Sequence, residues 1–596
     1  MTRMHQNLTK LISCRSASAV FVACIVVITL RTFLLGLPQT CIEGFSAVDF
    51  RPHAEAQPLQ EHTYTPGGLL IVNPNGPHPI FELMRNAETA WEAKVARASR
   101  TLDEAVAEYK RRYKRLPPRG FDKWWDYVVK HDVQLPDEYD EIYHDLEPFW
   151  GIDPHDLANT QEELEHHKET VTACKTPSSA RLEIVSETLP EDRRVELQGT
   201  IENILGLLKD VQHELPPLRI TFSPYDNPSM LSDWRIKNMT LEAAAKGTTI
   251  KRSELPDIQE AGWIQACPPD SPARLHRASL RPLSMTTNIS SAPKTFVASH
   301  RATMDPCTHP SLLTSHGQFL SHNAGPFPQR TLVPRFSLCA SLLHHDIRPV
   351  VPYGWTSGAD AEAEGDVPWD MKVDGRLGWR GSTTGMYASP SSAWVHSHRM
   401  RFVMATSRLA GNVSVLGVPR DGSVPVGVPE KVRMGAVNPA WMDVAFAGEA
   451  VGCDADGGTC EEMEELWEFR RWQSRREEGR YKFIFDVDGN GWSGRFKRLV
   501  TSNALIFKAT IYPEWFSSRI EPWVHYVPIQ VSYTDLHDAV AFFRTHDALA
   551  AKIAAAGKEW SQRFWKKEDM TAYLYRLLLE YARIASLNRE SMNYER

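Results

Sequence analysis

The stretch Asp486-Val-Asp-Gly-Asn-Gly-Trp-Ser-Gly-Arg-Phe-Lys497 is the first place where residue types and spacing suggest chemistry. Asp486, Asp488 and Asn490, with Gly491 behind them, imitate the first half of a calcium loop. The last position is Lys497 where a bidentate Glu is required, which excludes that reading. Two others remain. Asp486 and Asp488 could hold a divalent cation, Mn or Mg, on a diphosphate. Alternatively, a strand that opens through glycines into a helix beginning near Ser493 offers N–H groups to an anion. Arg495, Lys497 and Arg498 then add positive charge, and arginine grips phosphate oxygens in bidentate fashion. A second segment, Gly378-Trp-Arg-Gly-Ser-Thr-Thr-Gly385, again joins glycines, hydroxyls and an arginine. His398, Arg399 and Arg401 follow it on a predicted helix. Either segment alone reads as an ordinary solvated loop. Two in one α/β region point to a diphosphate ligand.

Both segments resemble the fungal capsule-associated-protein-type glycosyltransferases of glycosyltransferase family 90. The resemblance extends through Tyr481 to Lys497, Phe507-Lys-Ala-Thr-Ile-Tyr-Pro-Glu-Trp-Phe516 and Pro522-Trp-Val-His-Tyr-Val-Pro528. It also takes in Pro117-Pro-Arg-Gly-Phe-Asp-Lys-Trp-Trp125 and Met304-Asp-Pro-Cys-Thr-His-Pro310. It implies a GT-B architecture, two Rossmann-like domains facing a cleft, and inverting transfer from a UDP-sugar, with xylose or glucose as the leading sugars. By position it implies that Arg380, Ser382 and Arg399 bind the UDP diphosphate and sugar. It places Ser493, Gly494, Arg495, Phe496 and Lys497 in the nucleotide pocket. The family's general base is an Asp after the first strand of the N-terminal half, which falls on Asp226. Read without the family, Asp226 is an Asx-turn residue of a Pro-rich loop. Glu514 divides evenly between contact with the UDP-sugar and an acid at a helix start. A disulfide between Cys267 and Cys307 is a further implication. The acceptor would be a hydroxyl on a glycan or glycoprotein.

The elements that must position these residues follow from periodicity. Apolar residues from Met84 to Tyr109 recur at helical spacing, and Pro117-Pro118 ends that run. Further helices are expected over 121–131, 137–146 and 180–214. Leu218-Arg-Ile-Thr-Phe222 reads as a strand before a turn at Pro224. Residues 265–335 suggest long loops. Strands and loops are expected over 411–457 and a charged helix over 461–478. Strands at 481–485, 503–508 and 524–531 alternate with helices at 535–543, 547–564 and 568–587. That rhythm implies parallel α/β layers. The organisation expected is a tail (1–15), a transmembrane signal anchor (16–37), a stem (38–80) and a helical accessory region (81–215). An N-terminal Rossmann-like acceptor domain (216–370), a C-terminal UDP-sugar domain (371–565) and a final helix (566–596) complete it.

Bulk properties bound the function. The chain has 596 residues with a formal net charge of -7, so no basic excess points to nucleic acid. Arg3, Lys10 and Arg15 precede an apolar run that Arg31 interrupts and that is long enough to span a bilayer. The charge bias makes the tail cytoplasmic and the remainder lumenal, a single-pass type II arrangement in a Golgi or ER membrane; a cleaved signal peptide is the competitor. Sequons at Asn238, Asn288 and Asn412 fit a lumenal location. No C-x-x-C pair suggests zinc. A catalytically inactive lumenal glycan-binding or scaffold protein on the same fold is the alternative from another class. Paired acidic segments of the kind a glycoside hydrolase needs are not evident.

Overall fold

The computed structural model describes residues 58–276, 293–321, 325–363 and 365–595. The expected tail and anchor, Cys41 and the sequon at Asn288 lie outside the described residues. Among the described residues no helix is long and apolar enough to cross a membrane.

Residues 59–80 were expected as part of a stem, and the structure corrects this. Strand β1 (Thr63–Tyr64) pairs antiparallel with β2 (Leu69–Ile71), which pairs in turn with Thr295–Val297. Leu70 is fully buried. Helix α1 (Pro79–Ala96) starts on a proline, where a missing N–H costs nothing, and His78 caps it. Its face Ile80, Leu83, Met84 and Ala87 is buried. The single helix expected from Met84 to Tyr109 is two. Thr101 adopts an extended conformation and its hydroxyl accepts from Glu104 N–H, so it starts α2 (Leu102–Tyr113) afresh.

Helices α3 (Phe121–Lys130), α4 (Asp140–Trp150) and α5 (Pro154–Glu165) follow. The helix expected over 180–214 is shorter than read. Strand β3 (Val171–Lys175) is wholly buried and draws Glu183–Glu187 into an antiparallel partner strand, β4; helix α6 begins only at Arg194 (Arg194–Gly206). Tertiary pairing overrides helix propensity there. Strand β5 (Leu218–Phe222) is as predicted, and helix α7 (Trp234–Ala245) carries the sequon Asn238. With β6 (Thr295–Val297) and β7 (Arg335–Phe336) placed, the N-terminal sheet runs β4-β3-β5-β7. Strand β3 is antiparallel to both neighbours, and only β5 and β7 are parallel. This is a mixed four-stranded sheet, not the doubly wound sheet expected of that half. The Cys267–Cys307 disulfide is formed, and Cys453–Cys460 is a second.

The C-terminal sheet is built from β8 (Asp374–Gly381), β11 (Met442–Ala447), β12 (Phe469–Arg470), β13 (Tyr481–Val487), β14 (Leu505–Ala509) and β15 (Val527–Pro528), with the hairpin β9 (Asn412–Val415) and β10 (Glu430–Arg433) set apart. All six strands are parallel, in the order β12-β11-β8-β13-β14-β15. Numbered by appearance, that is 3-2-1-4-5-6, the doubly wound order of dinucleotide-binding sheets. Strands buried on both faces should be almost wholly apolar. The buried exceptions Asp443, Asp486 and Lys508 are therefore informative.

Helices α8 (His398–Ser407), α9 (Met434–Trp441), α10 (Thr459–Leu466), α11 (Phe496–Thr501), α12 (Leu536–Thr545), α13 (Asp547–Phe564) and α14 (Lys567–Ala585) surround or follow this sheet. The charged helix expected over 461–478 breaks after Leu466, because Phe469 stacks on Phe446 and joins the sheet edge. The two ends of the described chain cross over. Residues of α1 share a core with Leu377, Phe446 and Phe483 of the C-terminal sheet. Helix α14, buried along almost its whole length, joins the core of α3, α4 and β5. Trp124 donates its indole N–H to the Ala572 carbonyl there.

Candidate functional site

In an open parallel sheet the ligand crevice lies beyond the carboxyl ends of the strands, where strand order reverses. Here that point falls between β8 and β13. Strand β8 runs into Ser382–Gly385 and β13 runs into residues 488–495, so the fold brings the two predicted segments to one edge.

Arg399 and Arg495 meet at this edge. Arg399 sits on the first turn of α8, donates Nε to the Asp488 carbonyl (2.8 Å), and donates Nη1 to the Ser382 carbonyl (3.0 Å) and Thr384 Oγ1 (2.8 Å). Arg495 donates Nη1 to the Arg380 carbonyl (3.1 Å). Its Nη2 is buried without a hydrogen-bond partner, 3.8 Å from Asp486 Oδ1. Their guanidinium carbons lie 5.8 and 5.7 Å from the ring centre of Trp379. Burial, and then the neighbouring Arg495, push Arg399 down to about 9. Burial also lowers Arg495. Neither finds a carboxylate at hydrogen-bond distance among the described residues. A buried cation that is hydrogen-bonded only to neutral oxygens, as Arg399 is, remains costly, and an incoming anion would relieve it.

The other predicted residues divide. Ser382 is at the edge, with its hydroxyl 3.0 Å from Thr384 Oγ1. Ser493 donates to Asp486. Gly494 lies beneath Tyr353: a Cβ there would come within 2.5 Å of the ring, so the exposed Tyr353 side chain would have to shift to admit one. Helix α11 begins at Phe496 rather than near Ser493. Phe496 stacks on Phe516 inside the core. Lys497 turns away to the Ser561 carbonyl (2.8 Å), where burial pushes it down to about 7. Arg380 is held by Asp443, through the carbonyl (2.7 Å) and Oδ1 (2.7 Å). Arg376, Arg470 and Tyr481 converge on the same carboxylate, which braces β8, β11, β12 and β13 together. The side chains of Phe496, Lys497 and Arg380 thus serve the fold at this edge.

Asp486 and Asp488 do not fit a two-carboxylate metal site. One oxygen of Asp486 accepts from Ser493 and the other from Lys508 (2.9 Å). Asp488 Oδ2 accepts from Ile511 N–H (2.9 Å) and faces His316 Nε2 at 3.2 Å. Among the described residues, no three His, Cys, Asp or Glu gather as metal ligands.

Asp226 follows β5, and its loop presses on the 490–491 turn. A Cβ on Gly491 would lie 1.9 Å from the Asp226 carbonyl, which also receives Cys339 Sγ at 2.9 Å. The same turn reaches the Arg399 side, because Asn490 Oδ1 accepts from Gly385 N–H (3.0 Å). One tight turn therefore links the candidate base loop to the candidate anion loop. The Asp226 side chain is solvent-exposed, yet the protein around it raises its carboxyl from the ordinary value, an effect that solvent moderates. Glu514 faces a different space, beside Lys508, and burial raises it to about 8.

Two residues of this region, His316 and Tyr353, carry no local sequence signal, whereas Thr384 is one of the hydroxyls of the Gly378–Gly385 segment. Asp443 and Lys508 were detectable in principle as single charges inside otherwise apolar strands.

The fold and this edge define a parallel α/β protein with a cationic crevice at its switch point. Residues 459–594 match the family model described as "Glycosyl transferase family 90". The chain is 33% identical over 110 residues to protein O-glucosyltransferase 1 of Rattus norvegicus, covering 18% of this chain and 28% of the relative. It is 36% identical over 107 residues to the O-glucosyltransferase rumi homolog of Aedes aegypti, covering 17% and 27%. It is 31% identical over 106 residues to protein O-glucosyltransferase 2 of Danio rerio, covering 18% and 21%. The matched stretches thus span under a third of each relative.

Proposed function

We propose that the protein is an inverting glycosyltransferase that moves a sugar, xylose or glucose foremost, from a UDP-sugar to a hydroxyl on a glycan or glycoprotein. The observation that carries this reading is the Arg399–Arg495 pair at a doubly wound switch point: Arg399 is buried with no carboxylate beside it, and Arg495 has only the longer 3.8 Å ion pair to Asp486. The names of the relatives support transfer of a glucosyl group to protein. The wider motif resemblance favours the fungal capsule-associated branch and a GT-B arrangement, with acceptor and donor parts meeting near residues 370–371.

In this mechanism the diphosphate lies against Arg399 and Arg495 with the hydroxyls of Ser382 and Thr384 beside it. The acceptor hydroxyl attacks the anomeric carbon opposite the leaving UDP. Its proton passes to the Asp226 carboxylate, a contribution of about 10²- to 10⁴-fold. The arginines stabilise the charge gathering on the departing diphosphate. The apolar run at 16–37 would anchor the chain in a Golgi or ER membrane with this site in the lumen.

The test is UDP release by the purified chain with UDP-glucose and UDP-xylose, with and without EDTA. The reading expects turnover of at least one donor and its loss in Arg399→Ala. Absence of turnover with every UDP-sugar tried, together with no binding of UDP, would overturn it.

A further inference from the structure

Asn490 lies half-buried in the turn after β13, between the two loops that the proposed reaction needs. Its Oδ1 accepts from Gly385 N–H (3.0 Å) at the end of the candidate anion loop. A backbone N–H can only donate, so this contact fixes which end of the amide is oxygen. The other end is an NH2 group, which has only hydrogens to offer. It meets the Asp226 carboxyl, where a donor favours the ionised form.

Both ends of this bridge are held. Gly385 has a φ of +119°, and a Cβ there would lie 2.9 Å from the His398 ring. The residues before it are tied to Arg399 through the Ser382 carbonyl and the Thr384 hydroxyl. On the other side, Asn227, with its amide turned to satisfy both neighbours, donates to Asp226 Oδ1 (3.2 Å) and to the Asn490 carbonyl (3.3 Å). Other groups around Asp226 do not replace the Asn490 amide. Arg193 acts on the carboxyl through space and pairs with Glu196 (3.3 Å). The Cys339 thiol and the Tyr512 phenol lie near it as neutral groups, kept protonated by burial. Cys339 gives its proton to the Asp226 carbonyl (2.9 Å) and Tyr512 gives its own to Gln318 (3.0 Å).

We propose that Asn490 is a positioning residue, a single amide that fixes the Gly385 end of the anion loop and sets the Asp226 carboxyl in register with it. The proposal rests on the reading of Asp226 as the base. Asn490 acts through Asp226 rather than on the reacting atoms. The amide is needed because it presents an acceptor to one loop and a donor to the other. An Asp would set two carboxylates against each other, and an Ala would leave the loops untied.

The test is the pH profile of UDP release from UDP-glucose and UDP-xylose by the full chain, beside calorimetric titration with UDP. Asn490→Ala removes the donor that favours the ionised base. The acid limb of kcat/KM should move up by roughly half to one pH unit, with a matching fall of about 3- to 10-fold below the limb that closes as pH rises. Asn490→Asp keeps the shape and the Gly385 contact but adds a like charge, so its limb should move further. UDP affinity should change little in either variant, because Arg399 still holds Ser382 and Thr384. A packing role gives the reverse order: the isosteric Asp variant close to wild type, and the Ala variant slowed equally at every pH. That order overturns the proposal, and so does an unmoved limb in both variants. Circular dichroism checks folding, and Asn490→Asp decides the matter if Asn490→Ala does not fold. Asp226→Asn separates the proposal from the reading beneath it. If that variant is inactive while the Asn490 limbs stay in place, only the role of Asn490 falls. If it is fully active, Asp226 is not the base and the role of Asn490 falls with it.

Discussion

The imidazoles of His316 and His398 stack face to face, with centroids 3.9 Å apart and planes 5° from parallel. His316 Nδ1 accepts from Gln318 N–H and His398 Nδ1 accepts from Gly317 N–H, so each ring carries its proton on Nε2. Both Nε2–H groups then point at Asp488, His316 at the carboxylate and His398 at the carbonyl. That carbonyl also receives Arg399. The stack thus joins a loop of the N-terminal half to the group that orients Arg399, the arginine proposed to bind the diphosphate. Burial depresses both rings, His316 to about 3, and two charged rings could not share this contact.

The two arginine classes should separate in mutagenesis. Arg399→Ala and Arg495→Ala each remove a cation facing the crevice. UDP affinity should fall by roughly 30- to 1000-fold, with the melting temperature held or raised because a buried like-charge neighbour is gone. Arg380→Ala strips a partner from buried Asp443 and should lower the melting temperature first. Titration with UDP beside thermal melts distinguishes them. Equal loss of UDP affinity at lower stability in all three variants would contradict the distinction.

Asp226→Asn keeps the shape of the loop and removes the proton acceptor. Transfer should fall by about 10²-fold or more, while UDP affinity stays within a few-fold. A fully active variant would remove Asp226 as the base.

Stability against pH should be a dome. Glu514 is raised to about 8, Asp535 to about 7 and Asp488 to about 6, so the folded state holds extra protons as pH falls through these values. Their stabilisation is fully present below the unfolded carboxylate range and is lost as pH rises to about 8. His78, His300, His316 and His525, each lowered to about 3, have the opposite sign. The unfolded chain takes their protons first, so stability is lost as pH falls from 6.5 toward 3. Melting should peak between these limbs. Glu514 faces Lys508 with Asp486 and Asp488 nearby, and Glu514→Gln should flatten the alkaline limb by on the order of 1–3 kcal/mol. An unchanged limb in that variant would show that Glu514 is ionised in the native state.

Two positions test the packing. Gly491→Ala should shift the Asp226 loop, because the added methyl meets a backbone carbonyl at 1.9 Å, and should lower both melting temperature and transfer rate. Leu70→Ala should cost about 2–5 kcal/mol if residues 59–80 are core rather than stem. Urea melts give the second number directly.

Much of the C-terminal half was legible because parallel strands announce themselves as short apolar runs before glycine turns. The segments at Trp379 and Asp486 do meet at one edge, as their composition suggested. What local sequence could not show is which way each side chain turns. Arg380 and Arg495 look alike as letters, but one faces Asp443 and the other the crevice. Lys497 and Arg498 shared a basic cluster, and Lys497 is spent on the Ser561 carbonyl. The β3–β4 pairing was hidden because Glu183-Ile-Val-Ser-Glu187 is as compatible with a helix as with a strand until Val171–Lys175 lies beside it. The fold of residues 59–80 was hidden for the same reason, since its partners are hundreds of residues away.

The crossing of the chain, with α1 seated in the C-terminal core and α14 in the N-terminal one, has a mechanical meaning. Each half is clasped by a piece of the other, like two hands gripping opposite wrists. Pulling the halves apart as free lobes would strip α1 from one core and α14 from the other. Unfolding should therefore run as one concerted event, and motion around the crevice should be confined to its rim loops at 226, 353 and 490.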